Sequence, residues 1–181
     1  MERLKVMIQQ LRPALAQELG LTNPMAVPRL IKVTINVGLN DLRHDTKKIE
    51  RVSGVLATVT GQKPSLRRSR KAVASFKLRA GEPVGLALTL RGKRMYDFLE
   101  RFIRVVLPRV RDFRGISPTS FDTHGNLTVG LRDLSVFPEI RYEDLDTVRG
   151  LEVTLVMNAE TPQSGAKLLT ALGFPLIRSQ E

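Results

Sequence analysis

Near the start of the chain, Leu4, Ile8, Leu11, Leu15 and Leu19 recur at steps of three and four and predict a helix with one apolar stripe. Pro13 lies inside it and is expected to kink or divide it. Gly20 is expected to stop it. Asn23-Pro24 and Val27-Pro28 punctuate a short connector. Residues 29–37 then change period to two. Ile31, Val33, Ile35 and Val37 fall on one face, and Lys32, Thr34 and Asn36 on the other, which predicts a half-buried strand ended by Gly38. Asp45 is a good N-cap for a helix over 46–60, built on Ile49, Val52, Leu56 and Val59 and stopped by Gly61.

Residues 63–71 read as a second strand, with Pro64 at its start and Ser65, Arg67, Ser69 and Lys71 on one face. Residues 72–83 read as a loop or arm with Phe76 in the middle and Gly81 near the end. The strand over 84–91 is regular: Val84, Leu86, Leu88 and Leu90 face a core, and Gly85, Ala87, Thr89 and Arg91 face away. Met95, Phe98, Leu99, Phe102, Ile103 and Val106 predict a helix over 93–107, stopped by Pro108. Residues 109–125 are irregular. Leu127, Val129 and Leu131 suggest another strand, 133–148 a connector, and Leu151, Val153, Leu155 and Met157 a last strand. Thr161-Pro162 opens a final helix that ends before Gly173. The order α-β-α-β-β-α-β-β-α lacks strict βαβ alternation. It predicts an α+β fold: a mostly antiparallel sheet with helices on one face and the other face open. One domain over 1–181 is expected, with an arm at about 72–83.

Charge sharpens this picture. The chain has 181 residues and a net charge of +11, which points to a polyanionic partner. Residues 63–114 hold 15 Lys and Arg against Glu82, Asp97, Glu100 and Asp112, whereas 133–160 hold seven acids against Arg141 and Arg149. One face is thus expected to meet phosphate. Between Glu50 and Glu82 there is no acid, while Arg51, Lys63, Arg67, Arg68, Arg70, Lys71, Lys77 and Arg79 all fall there. An ordinary solvated face mixes both signs. The chain has no cysteine, so disulfide and thiol chemistry are excluded. No apolar run is long enough to span a bilayer, and the first residues lack the apolar core of a secretory signal. A cytosolic protein is expected.

Three predicted strands turn small or polar residues away from the core: Lys32, Thr34 and Asn36; Gly85, Ala87, Thr89 and Arg91; Asn126, Thr128, Gly130 and Arg132. Such a face suits RNA, whose sugar hydroxyls and base edges pair with short polar side chains. A covering segment of the same chain is the other explanation. Phe76, between cations, either stacks on an unpaired base or tucks into the core. Catalytic candidates are scarce. His44 and His124 lack metal-ligand spacing. Glu143, Asp144 and Asp146 lack the pattern of a calcium loop. No phosphate-binding glycine loop or nucleophile elbow occurs. No cofactor and no metal are expected. An RNA-modifying enzyme or its specificity domain, and a membrane-surface protein using the basic arm, are the alternatives.

Several strings occur together: Gly61-Gln62-Lys63-Pro64, the run Phe76 to Arg79, Thr89-Leu90-Arg91, Arg111-Asp112-Phe113-Arg114-Gly115, Phe137-Pro138-Glu139-Ile140, Arg149-Gly150-Leu151 and Leu172-Gly173-Phe174-Pro175. In order and spacing, the whole chain resembles the L-five family of bacterial large-subunit ribosomal proteins. The resemblance implies a non-catalytic role in the central protuberance, binding 5S rRNA and helping attach it to 23S rRNA. It implies 5S contacts at Lys32, Thr34, Asn36, Gln62, Lys63, Ser65, Arg67, Ser69, Arg70, Lys71, Thr89 and Arg91. It implies P-site tRNA contacts at Val73, Ala74, Ser75, Phe76, Lys77, Arg79, Ala80 and Gly81. It implies an intersubunit bridge to a small-subunit head protein through Arg109, Arg111, Asp112, Arg114, Asp144 and Asp146, beside neighbouring large-subunit proteins. The chain departs from the family pattern at Asn40 and Asp41, at Thr123 and His124, at Asp133-Leu134-Ser135 and in the tail Leu176–Glu181.

Overall fold

The computed structural model describes residues 3–111, 113–132, 134–140 and 150–177. Among them stand α1 (Arg3–Glu18), β1 (Leu30–Gly38), α2 (Thr46–Thr60), β2 (Ser65–Arg68), β3 (Pro83–Leu90), α3 (Gly92–Arg101), β4 (Leu127–Leu131), β5 (Leu151–Met157) and α4 (Pro162–Ala171). The strands form one sheet in the order β2-β3-β1-β5-β4. Its neighbours run antiparallel. Ser65 of β2 pairs with Ala87 of β3, and Arg67 with Gly85. Leu39, just past β1, donates its N–H to the Val84 carbonyl at the start of β3 (3.0 Å); Asn158, just past β5, donates to the Arg29 carbonyl ahead of β1 (3.2 Å). This is the α+β class that the alternating and three-four patterns predict.

The chain packs as two compact units: Met1–Val33 with Arg91–Val129 and Thr154–Glu181, and Thr34–Leu90 with Gly130–Val153. In the first, Leu4, Ile8 and Leu15 of α1 are buried, as are Met95, Phe98 and Leu99 of α3 and Leu168 and Leu169 of α4. Phe98 stacks on Phe102 with centroids 5.7 Å apart, and Phe102 lies 6.5 Å from Phe174. Pro13 does not divide α1, which runs unbroken across it. The lost hydrogen bond is a local cost, and the buried stripe on both sides outweighs it. Nor does Pro108 stop the third helix. α3 continues through a π-helical turn (Phe102–Val106) into a last turn (Leu107–Arg109), and Leu107 N–H reaches the Phe102 carbonyl. That wider turn lies directly ahead of the proline, whose ring would otherwise press on the carbonyl four residues back. α4 begins as expected, with a capping box between Thr161 and Ser164 and Pro162 in its first turn.

In the second unit, Asp45 caps α2 by accepting from Lys48 N–H (3.2 Å). Val52, Val55, Leu56 and Val59 are buried, with Ile35, Val37, Leu39, Leu86, Leu88 and Leu90. The alternation of β1 holds from Val33 to Val37, but Ile31 is 39% exposed and Leu30 is buried instead. β2 is also shorter than predicted, four residues rather than nine, and all four are exposed.

Candidate nucleic-acid interface

α2 ends in the left-handed Gly61 (φ +70), whose N–H bonds the Ala57 carbonyl at 2.8 Å. Glycine suits this position because it lacks the Cβ that strains the left-handed region. Thr60, just before it, is buried, and its hydroxyl donates to the Leu56 carbonyl at 2.7 Å. The same oxygen accepts from Gln62 N–H at 3.3 Å. Gln62 then extends its side-chain amide to the Thr89 carbonyl at 3.2 Å. The turn is thereby tied to β3, and two residues predicted as RNA contacts are joined. The Gln62 NH₂ group is used inside the protein, whereas the exposed Thr89 hydroxyl has no hydrogen-bond partner among the described residues.

From β2 and β3 the chain extends as a hairpin. A register shift falls between Arg67 and Arg68, as a β-bulge produces. Beyond it, Ser69 N–H donates to Glu82 O (2.8 Å), and Gly81 N–H to Ser69 O (2.9 Å). Arg68 is not a free cation of the run: its guanidinium bonds the Gly81 carbonyl at 3.0 Å. Glu82, the acid that ends the long basic interval, accepts from Arg79 N–H at 3.1 Å. The tip is closed by Val73 and Leu78, which exchange both backbone hydrogen bonds (2.9 and 3.1 Å). Between them Ala74–Phe76 form a 3-10 turn, and Lys77 takes φ +49, the one positive value on a non-glycine residue among those described. Of the two expectations for Phe76, burial fails: the ring is 71% exposed and does not tuck into the core.

The cations that this hairpin carries are open. Lys63, Arg67, Arg70, Lys71, Lys77 and Arg79 are exposed, and among the described residues none has a carboxylate within ion-pair distance. The ion pairs Lys48–Asp45 and Arg104–Glu100 lie elsewhere. Ser65 and Ser69 are less free, since their hydroxyls donate to the carbonyls of Ala87 and Lys71. Val73 is half-buried, whereas Ala74, Ser75, Ala80 and Gly81 are exposed. On β1, Lys32, Thr34 and Asn36 are half-buried, and Asn36 makes no side-chain hydrogen bond among the described residues. Arg91, ahead of α3, is exposed. Arg109, Arg111 and Arg114 are exposed as well; Asp112, Asp144 and Asp146 lie outside the described residues.

Two readings of the strand faces change. The small size of Gly85 already has an internal cause: a Cβ there would lie 2.9 Å from the Val37 carbonyl oxygen of the adjacent strand. Asn126 is not an open polar group. Its Oδ1 accepts from Met157 N–H (2.9 Å), and its Nδ2 donates to Asp122 Oδ2 (2.7 Å). Asp122 also accepts the N–H groups of His124 (2.9 Å) and Asn126 (2.7 Å). Desolvation raises the Asp122 pKa, but these hydrogen bonds outweigh it and hold the carboxyl below its usual value. A depressed carboxylate contributes stability above its unfolded pKa, and that contribution is lost as pH falls through the folded value. Asp122→Asn is therefore expected to lower stability at neutral pH and to flatten the acid limb. The new amide would oppose Asn126 Nδ2, and a flip of Asn126 would sacrifice the bond from Met157. Thermal midpoints between pH 7 and pH 3 check this; identical acid limbs for both proteins would contradict it.

The two halves of the chain match known families. Residues 23–79 match ribosomal protein L5, and residues 83–176 match the C-terminus of the same ribosomal family. The chain is 50% identical over 167 residues to large ribosomal subunit protein uL5 of Rubrobacter xylanophilus, covering 92% of this chain and 93% of that one. It is 49% identical over 175 residues to the Synechocystis uL5 protein, covering 96% and 97%. With a uL5 protein of Prochlorococcus marinus, it shares 48% identity over 167 residues, covering 92% and 93%. A family of structural ribosomal components leaves no room for the RNA-modifying alternative. The chain belongs to the ribosomal protein L5 family, and is accordingly an RNA-binding structural constituent of the large subunit of the cytoplasmic ribosome and not an enzyme.

Proposed function

We propose that the chain binds 5S rRNA and helps attach it to 23S rRNA in the central protuberance. The observation that carries this reading is the run of exposed cations Lys63, Arg67, Arg70 and Lys71 in and around the edge strand β2, without a carboxylate partner among the described residues, in the same sheet as β1, whose Asn36 has no internal partner among those residues either. Arg67, Arg70, Lys71, Lys63, Lys32 and Arg91 contact phosphates, setting affinity and salt dependence. Thr34, Asn36 and Thr89, with the oxygen of Gln62, set register and discrimination. Ser65 and Ser69 contribute through their remaining lone pairs. Residues 72–83 act as an arm towards P-site tRNA, with exposed Phe76 as the stacking group. Lys77 and Arg79 supply charge there, and Val73, Ala74, Ser75, Ala80 and Gly81 the backbone. Arg109, Arg111 and Arg114, together with Asp112, Asp144 and Asp146, meet a small-subunit head protein. Residues 1–181 act as one domain, since β1, β4 and β5 each run through both units.

A salt titration of binding to purified 5S rRNA, against an unrelated duplex RNA of similar length, tests this. A preference for 5S rRNA that persists as salt rises is expected. Equal affinities that vanish together would leave only a general phosphate contact. Asn36→Ala is expected to weaken 5S binding by about 1–3 kcal/mol, because its RNA partner is left unpaired in a desolvated contact. Unchanged affinity would remove Asn36 from the interface.

A further inference from the structure

Arg43 is not one of the cations of the basic run. It belongs to the 3-10 segment Asn40–His44, ahead of α2. Its side chain is half-buried, and among the described residues it has no carboxylate partner. Both terminal nitrogens point at one acceptor, the Phe76 carbonyl, at 3.4 and 3.5 Å. Its Nε is buried without a partner among the described residues. A guanidinium usually satisfies such a donor, so this side chain is placed for the Phe76 carbonyl at the expense of its own third group. Its acceptor sits between the exposed Phe76 ring and the left-handed Lys77. The turn is otherwise held by short-range backbone bonds, from Phe76 N–H to Val73 O (3.2 Å) and Lys77 N–H to Ala74 O (3.0 Å).

We propose that Arg43 is the positioning residue of the hairpin tip. Its guanidinium fork holds the Phe76 carbonyl and thereby fixes the turn that presents the Phe76 ring and Lys77 outward. Arg43 itself touches no RNA. A polar group reaching in from a segment 33 residues away makes the tip's conformation a property of the folded unit and not of the loop alone. The functional consequence rests on the tRNA reading of the tip given above; the positioning itself does not.

The test separates the two. In the free full-length protein, Arg43→Ala is expected to raise amide exchange at Phe76, Lys77 and Leu78 about tenfold, the factor for losing one hydrogen bond to a charged group. The global thermal midpoint should move little. Arg43→Lys, which keeps the charge and one donor, is expected to restore part of the protection. 5S rRNA affinity and its salt slope should not change. Large subunits carrying Arg43→Ala should bind P-site tRNA more weakly. Unchanged exchange at the tip overturns the proposal. So does a salt slope for 5S rRNA reduced by about one, which would make Arg43 a phosphate ligand. Faster exchange with unaltered tRNA binding supports Arg43 as the positioning residue and removes tRNA as the partner of the tip.

Discussion

Replacing Arg67, Arg70 and Lys71 together by Gln is expected to weaken 5S rRNA binding roughly a hundredfold at low salt, about 3 kcal/mol for three charge-assisted contacts. The slope of log affinity against log salt should fall by about 2–3, because each neutralised phosphate releases its counterion. Fold stability should be nearly unchanged. All three side chains are exposed, and no internal carboxylate among the described residues loses a partner with them. Arg68 is left out deliberately, since its bond to the Gly81 carbonyl makes it part of the hairpin. An unrelated duplex RNA should lose affinity in parallel, as phosphate contacts carry no sequence information. Arg104→Gln serves as a control, because Arg104 is already paired with Glu100 at 3.2 Å. A slope that stays constant in the triple variant would exclude the run from the RNA surface.

Gly165→Ala is expected to be strongly damaging for a single methyl, costing about 2–4 kcal/mol. Gly165 lies in the first turns of α4, directly against the turn before β4. A Cβ there would press on the Gly125 carbonyl and lie 3.1 Å from both the carbonyl carbon and Cα of Gly125. The opposing contact is equally tight: a Cβ on Gly125 would come 2.7 Å from Ala159 Cβ and 2.8 Å from Thr161 O, at a backbone φ of +72. All of these obstacles but one are backbone atoms, which cannot rotate away. The turn must shift instead, and it carries Asn126, whose Oδ1 holds Met157 N–H at the end of β5. For a chain of this size the thermal midpoint should fall by roughly 5–15 °C. Gly54→Ala is the comparison, since nothing lies within 4 Å of a Cβ there and the helical site favours alanine. Equal midpoints for the two variants would show that the turn is not held by this contact.

The order of elements, the helix-ending glycines Gly20, Gly61 and Gly173, the caps at Asp45 and Thr161, and the regular face of β3 were legible in the sequence. Each rests on short-range physics: a period of 3.6 or 2, a left-handed residue, a side-chain oxygen three residues from an orphan N–H. The basic interval was legible for the same reason, because charge is a property of composition. Partners distant in sequence were not. Asn126 looked like an open polar group on a strand face until Met157, 31 residues later, proved to use it. Gly85 looked like a place for RNA to approach until the Val37 carbonyl filled the space above it. Arg43 gave no signal at all, since its acceptor lies 33 residues ahead. Periodicity and charge along the chain thus suffice for the α+β class and for where the cations lie. Which of those cations remain free, which glycines are obligatory and whether Phe76 is exposed were fixed by folding alone. Those outcomes depend on which atoms of remote segments meet, and periodicity within one segment carries no information about that.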